Sequence, residues 1–133
     1  MTAQNGAISL KAAGLVAADT NHTAVMTRAS AFAIRFAWTA CETASTDELY
    51  VVVVEANTAA ATSTYTRIGT LFVGGHTNVI GGAGTTAATG EYMQAFYNPY
   101  GYQVRISTYV NGTIATGINF SADLFPIQTL QYP

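Results

Sequence analysis

Apolar and polar residues alternate at period two along much of this chain, the spacing of strands that bury one face of a sheet. In 31–39, Phe32, Ile34, Phe36 and Trp38 share one face, with Ala33, Arg35 and Ala37 on the other. The run Val51-Val52-Val53-Val54 within 49–56 is continuously β-branched, which predicts a strand covered on both faces. Alternation also predicts strands over 65–73, 91–97, 102–110 and 113–121, with a further one over 22–28. No window carries a sustained 3.6-residue period with caps, so little helix is expected.

Turn chemistry separates these runs. Asn98-Pro99-Tyr100-Gly101 places Pro where φ must be near −65° and Gly at the fourth position. Asn111-Gly112, between alternating apolar residues, is a strong hairpin signal because both residues tolerate positive φ. Together these turns predict a meander from Glu91 to Ser121. The expected fold is all-β: a single-domain antiparallel β-sandwich or jelly roll, with a small closed barrel as the competing arrangement. Residues 1–20 read as an extended N-terminal arm, 21–121 as the β-sandwich domain and 122–133 as a C-terminal tail. The glycine-rich stretch 74–90 reads as a long loop or a loosely paired edge.

Composition narrows the possible tasks. Only 9% of residues are charged, with five basic against seven acidic side chains and a net charge of −2. No Lys/Arg cluster is present to neutralise a phosphate backbone, so nucleic acid is not an expected partner. No apolar run approaches the ~20 residues of a membrane-spanning helix, and no membrane partner is expected. Half of the residues are hydrophobic, which argues against intrinsic disorder. The single cysteine, Cys41, excludes an internal disulfide and reads as a small thiol near a strand end. Gly14-Leu15-Val16-Ala17-Ala18 resembles a cleavage region, but no basic segment opens the chain and Lys11 sits where the apolar stretch should be. The chain is therefore expected to be made and retained in the cytoplasm, where its three Asn-x-Ser/Thr sequons carry no glycan.

Chemistry-bearing residues are sparse. Gly82-Ala83-Gly84-Thr85-Thr86-Ala87 loosely fits a dinucleotide-binding loop, yet a further strand follows where that site needs a helix. His22 and His76 have no second ligand at metal spacing, so no metal is expected. Glu42, Asp47 and Glu48 read as a solvated loop, with too few oxygen ligands for calcium. Glu55 and Arg67 are positioned to face each other if their strands pair. No nucleophile motif, zinc-protease helix or glycosidase carboxylate pair occurs, so neither enzymatic activity nor a cofactor is expected.

Aromatic residues are the one concentrated feature. Tyr92, Tyr97, Tyr100, Tyr102 and Tyr109 fall close together in sequence, and Phe125 and Tyr132 follow near the C-terminus. Tyrosine joins a rigid apolar face to a polar tip, which suits protein interfaces and sugar-stacking platforms as well as packing across a sheet. These seven residues are the candidate interface.

Leu49-Tyr50-Val51-Val52-Val53-Val54-Glu55, the Thr/Ser-rich loop after it, Tyr65-Thr66-Arg67-Ile68-Gly69 and Tyr100-Gly101-Tyr102-Gln103-Val104-Arg105-Ile106 carry a likeness of pattern. So does the composition, in which Ala, Thr and Gly abound and Lys is scarce. Over about residues 30–121 the chain resembles small virion proteins of tailed bacteriophages, of the head decoration (cement) type. That resemblance implies a structural protein on the capsid surface of a virion, bound to the major capsid protein and to copies of itself as a homotrimer. The alternatives are a glycan- or receptor-binding module of a tail or fibre, and a small coat or tail-tube subunit.

Overall fold

The computed structural model describes residues 7–26, 30–41, 48–60, 64–75, 90–114 and 117–127. Among the described residues there are eight strands: β1 (Ile8–Val16), β2 (Thr20–Asn21), β3 (Ala31–Cys41), β4 (Leu49–Asn57), β5 (Tyr65–Gly75), β6 (Gly90–Tyr97), β7 (Val104–Asn111) and β8 (Ile118–Pro126). They form two four-stranded antiparallel sheets, sheet 1 in the order β1-β8-β3-β6 and sheet 2 in the order β2-β7-β4-β5. Within these sheets β1 pairs with β8, β2 with β7, β3 with β6 and β4 with β5. The chain is thus one long hairpin, turned between β4 and β5 and rolled into two layers, the jelly-roll form of the β-sandwich. No helix forms among the described residues.

The inward faces build the core as alternation predicts. Phe32, Ile34, Phe36 and Trp38 of β3 are all buried, opposite Tyr50, Val52, Val54 and Ala56 of β4. Phe36 is the hub, its ring centroid 5.0 Å from Phe120, 5.4 Å from a stacked Phe72 and 5.7 Å from Trp38. Val53, pointing outward from β4, is also fully buried, so β4 is covered on both faces.

Several expectations are corrected. Residues 91–121 are not a meander: β6 and β8 flank β3 in sheet 1, while β7 lies in sheet 2 between β2 and β4. Asn111-Gly112 does turn, with Gly112 at φ 82°, but it carries the chain from one sheet to the other instead of closing a hairpin. The 1–20 arm begins its strand at Ile8, and β1 forms an edge of sheet 1; only 1–6 lie outside the described residues. Likewise 122–126 complete β8, whose inward Ala122 and Leu124 are core residues, so the C-terminal tail boundary at 122 falls inside the sandwich. Of the strand expected over 22–28, residues 22–26 show a single bridge between Val25 and Val104, β2 ends before the expected start, and 27–28 lie outside the described residues.

Candidate interaction surface

Alternation in β3, β6 and β8 that buries the large rings also sends small side chains outward. The outer face of sheet 1 carries Ala31, Ala33 and Ala37 from β3, with Met93, Ala95 and Tyr97 from β6. Register aligns them in rows: Ala33 lies between Ala95 and Phe125, and Ala31 stands beside Tyr97. Ile127 closes the Ala31 row by donating its backbone N–H to the Ala31 carbonyl at 2.9 Å. Tyr97 is 62% exposed, Met93 53% and Ile127 43%, so large apolar groups stand at the rim of a shallow alanine floor.

Among the described residues, the charge on this face is gathered in one place. Arg35 donates from Nε and Nη2 to the two carboxylate oxygens of Glu91, at 2.7 and 2.9 Å. Asp123 lies 3.5 Å from its Nη1. Hydrogen bonds from Arg35 hold the Glu91 carboxyl below its usual range, and those to Glu91 push the guanidinium higher. Both carboxylates pair with the one guanidinium.

The seven aromatic candidates do not form one cluster. Tyr97 and Phe125 share the outer face of sheet 1, and Tyr100 is exposed in the turn that follows β6. That turn is organised by Asn98, which accepts from the Tyr100 N–H and donates to the Tyr102 carbonyl. Tyr92 points inward against Phe36 and Trp38, five positions from Tyr97 and therefore on the opposite face. Tyr102 is half-buried before β7, and Tyr109 is on the outer face of sheet 2. Tyr132 lies outside the described residues. Proximity in sequence did not survive because β6 and β7 belong to different sheets.

Sheet 2 holds a polar cluster that sequence reasoning missed. Glu55 accepts from Arg105 Nε at 2.8 Å, Ser107 Oγ at 2.7 Å and Tyr109 Oη at 2.7 Å. The Arg105 guanidinium also stacks 3.8 Å above the Tyr65 ring. Burial pushes the Glu55 carboxyl up, but these donors and the arginine charge outweigh it and hold the group below its ordinary value. The hydrogen bond to Glu55 in turn pushes the Tyr109 phenol up. Arg67 does sit opposite Glu55 in register, yet the ion pair forms on the other side of β4, with Arg105. The available signal was Arg105 and Tyr109 at matching parity in a late strand; what the sequence lacked was the β4–β7 pairing.

A third polar group lies between β1 and β2. Lys11 Nζ donates to the carbonyls of Ala12, Gly14 and Phe120 at 2.9, 3.0 and 2.7 Å, and burial lowers its pKa. His22 Nε2 is 3.0 Å from Thr108 Oγ1, and burial together with the Lys11 charge lowers its pKa to about 4. The imidazole is neutral at neutral pH, and the lysine satisfies main-chain carbonyls. Glu48 is buried and accepts from Tyr50, in place of the solvated position expected for it. Glu42, Asp47, His76 and the Gly82–Ala87 loop lie outside the described residues. Among the described residues no three His, Cys, Asp or Glu side chains gather at one point.

Between β5 and β6 the two sheets part to form an open cleft of about 570 Å³. Trp38, Leu71 and Phe72 line it, with Tyr92, Thr70 and Gln94 supplying its polar groups. Neither a protein-family model, nor a curated protein, nor a solved structure matches this chain.

Proposed function

We propose that this chain is a non-enzymatic structural virion protein of a tailed bacteriophage, one that binds the outside of the capsid and stabilises it. The observation that carries this reading is the outer face of sheet 1: alanine rows, a rim of exposed Met93, Tyr97 and Ile127, and a single paired charge cluster. Small side chains let another surface approach closely at little entropic cost, and the aromatic and methionine rim supplies apolar area to desolvate. A jelly roll presents such a face rigidly, and repetition over a shell multiplies modest contacts into firm attachment. The coat protein and further copies of the chain are the partners on this reading. The test is co-sedimentation with capsids that lack the protein. Wild-type chain should pellet with them, and Ala33→Glu, at the centre of the face, should not. Equal pelleting of both proteins would remove this face from the account.

The β5–β6 cleft favours one second reading, a glycan-binding module. Its aromatic floor and its Thr70 and Gln94 rim match the mixture of ring face and hydrogen-bonding groups that sugars use. A glycan screen with wild-type and Gln94→Ala protein separates the two readings: binding lost on substitution supports the module, and no binding by wild type rejects it.

A further inference from the structure

A sandwich of two four-stranded sheets has four strand edges, and unpaired edges invite another strand unless they are blunted. Three of the four edges here are blunted. β1 is broken by register shifts around Lys11, which turns its ammonium onto nearby carbonyls. β2 is two residues long. β5 carries two register shifts against β4. β6 differs: its eight residues pair with β3 from Ala31–Tyr97 to Trp38–Gly90 without a break, and it contains no Pro, Lys or Arg.

The ladder shows which groups this edge offers. Asn98 N–H donates to the Ser30 carbonyl at 2.8 Å, and Ile127 N–H donates to the Ala31 carbonyl at 2.9 Å. Bonded and non-bonded pairs alternate along an antiparallel ladder. Phe96, Gln94, Tyr92 and Gly90 therefore exchange hydrogen bonds with β3. Glu91, Met93, Ala95 and Tyr97 turn their N–H and C=O groups away from it, towards an edge that no other described strand covers.

We propose that β6 is the strand through which two copies of this chain pair, antiparallel and edge to edge, about a two-fold axis at Gln94. In that register Glu91 faces Tyr97 of the second copy and Met93 faces its Ala95, so every outward backbone group finds a partner. Moving the axis to Met93 or to Ala95 leaves the groups of Tyr97 or of Glu91 unpaired. The charge pattern fits as well. Glu91 is the one charged residue of β6, it meets a tyrosine and not its own copy, and its carboxylate keeps Arg35. Met93 and Tyr97, more than half exposed in the single chain, gain cross-strand neighbours. The two sheets become one continuous sheet, and the contact is two-fold, where the resemblance to decoration proteins implied a threefold. This pairing goes beyond the decoration reading and does not depend on it.

The test is the mass of the full chain in solution, by light scattering after size-exclusion chromatography over a range of concentrations. Wild type should be a dimer. Ala95→Pro removes an outward N–H while leaving the bonds of β6 to β3, a position where edge strands accept proline. It should keep the far-UV circular dichroism of wild type and weaken dimerisation at least tenfold. Amide hydrogen exchange on the unaltered protein is the second measurement: Met93 and Ala95 should be protected at dimer-forming concentration and exchange faster on dilution. A wild-type monomer at every concentration, a dimer unaffected by the proline, or fast exchange at Met93 and Ala95 in a dimer would each overturn the proposal. A monomer that still pellets with capsids would overturn it and leave the decoration reading standing.

Discussion

Arg105 reaches across from β7 to place Nε 2.8 Å from Glu55 on β4, and that contact makes a buried carboxylate tolerable on the outer face of sheet 2. Ser107 and Tyr109 complete its hydrogen bonding, so removing the guanidinium leaves a charge in place with too few partners. Arg105→Ala should cost roughly 2 kcal/mol, the low end for a broken buried pair because both side chains keep some solvent. Arg67→Ala, exposed on the opposite side of Glu55, should stay within about 0.5 kcal/mol of wild type. Urea unfolding of the two variants measures the difference directly.

Acid should weaken the fold in two separate steps. His22 has a folded pKa lowered from 6.5 to about 4, so between those values the unfolded chain binds the extra proton. Stability is complete above pH 6.5 and falls as pH drops towards 4, by about 1–2 kcal/mol once screening of a half-exposed ring is allowed for. Glu55 has a folded pKa below its ordinary 4.5, so its contribution is present above that value and is lost as pH falls below it. His22→Gln should flatten the first step and leave the second. Unfolding midpoints at half-unit pH intervals resolve them.

Gly117 takes φ 118° where the chain enters β8, and a Cβ there would press on the Val16 carbonyl of β1. Gly117→Ala should therefore cost about 2 kcal/mol or more, from strain and from displacement of the β1–β8 pair. Phe36→Ala empties the hub of the aromatic core and should cost about 3–5 kcal/mol. Thermal melts rank both against wild type; a silent Gly117→Ala would contradict the described path from sheet 2 back to sheet 1.

The legible part of this fold is the part carried by local periodicity. Phe32, Ile34, Phe36 and Trp38 announce an inward face, and Val51–Val54 announce a strand covered twice, because side-chain parity is set by the strand itself. Neighbour choice has no such local signature. Asn111-Gly112 looks the same in a hairpin and in a crossing between sheets, and only the pairings of β7 with β4 and β8 with β3 distinguish them. The register shifts of β5 bury Leu71 and Phe72 side by side, which strict alternation would have placed on opposite faces. The candidate surface was half legible for the same reason. Tyr97 and Phe125 were singled out as aromatics, but the alanine rows between them emerge only when β6, β3 and β8 are set side by side.

Cryo-electron microscopy of the assembly in which this chain occurs decides whether it is a decoration protein. The account predicts jelly-roll density at symmetry-related positions on the capsid exterior, with Ala33, Tyr97 and Phe125 turned towards the coat. Particles whose shells lack this density, or that hold the chain with sheet 1 facing solvent, would contradict it.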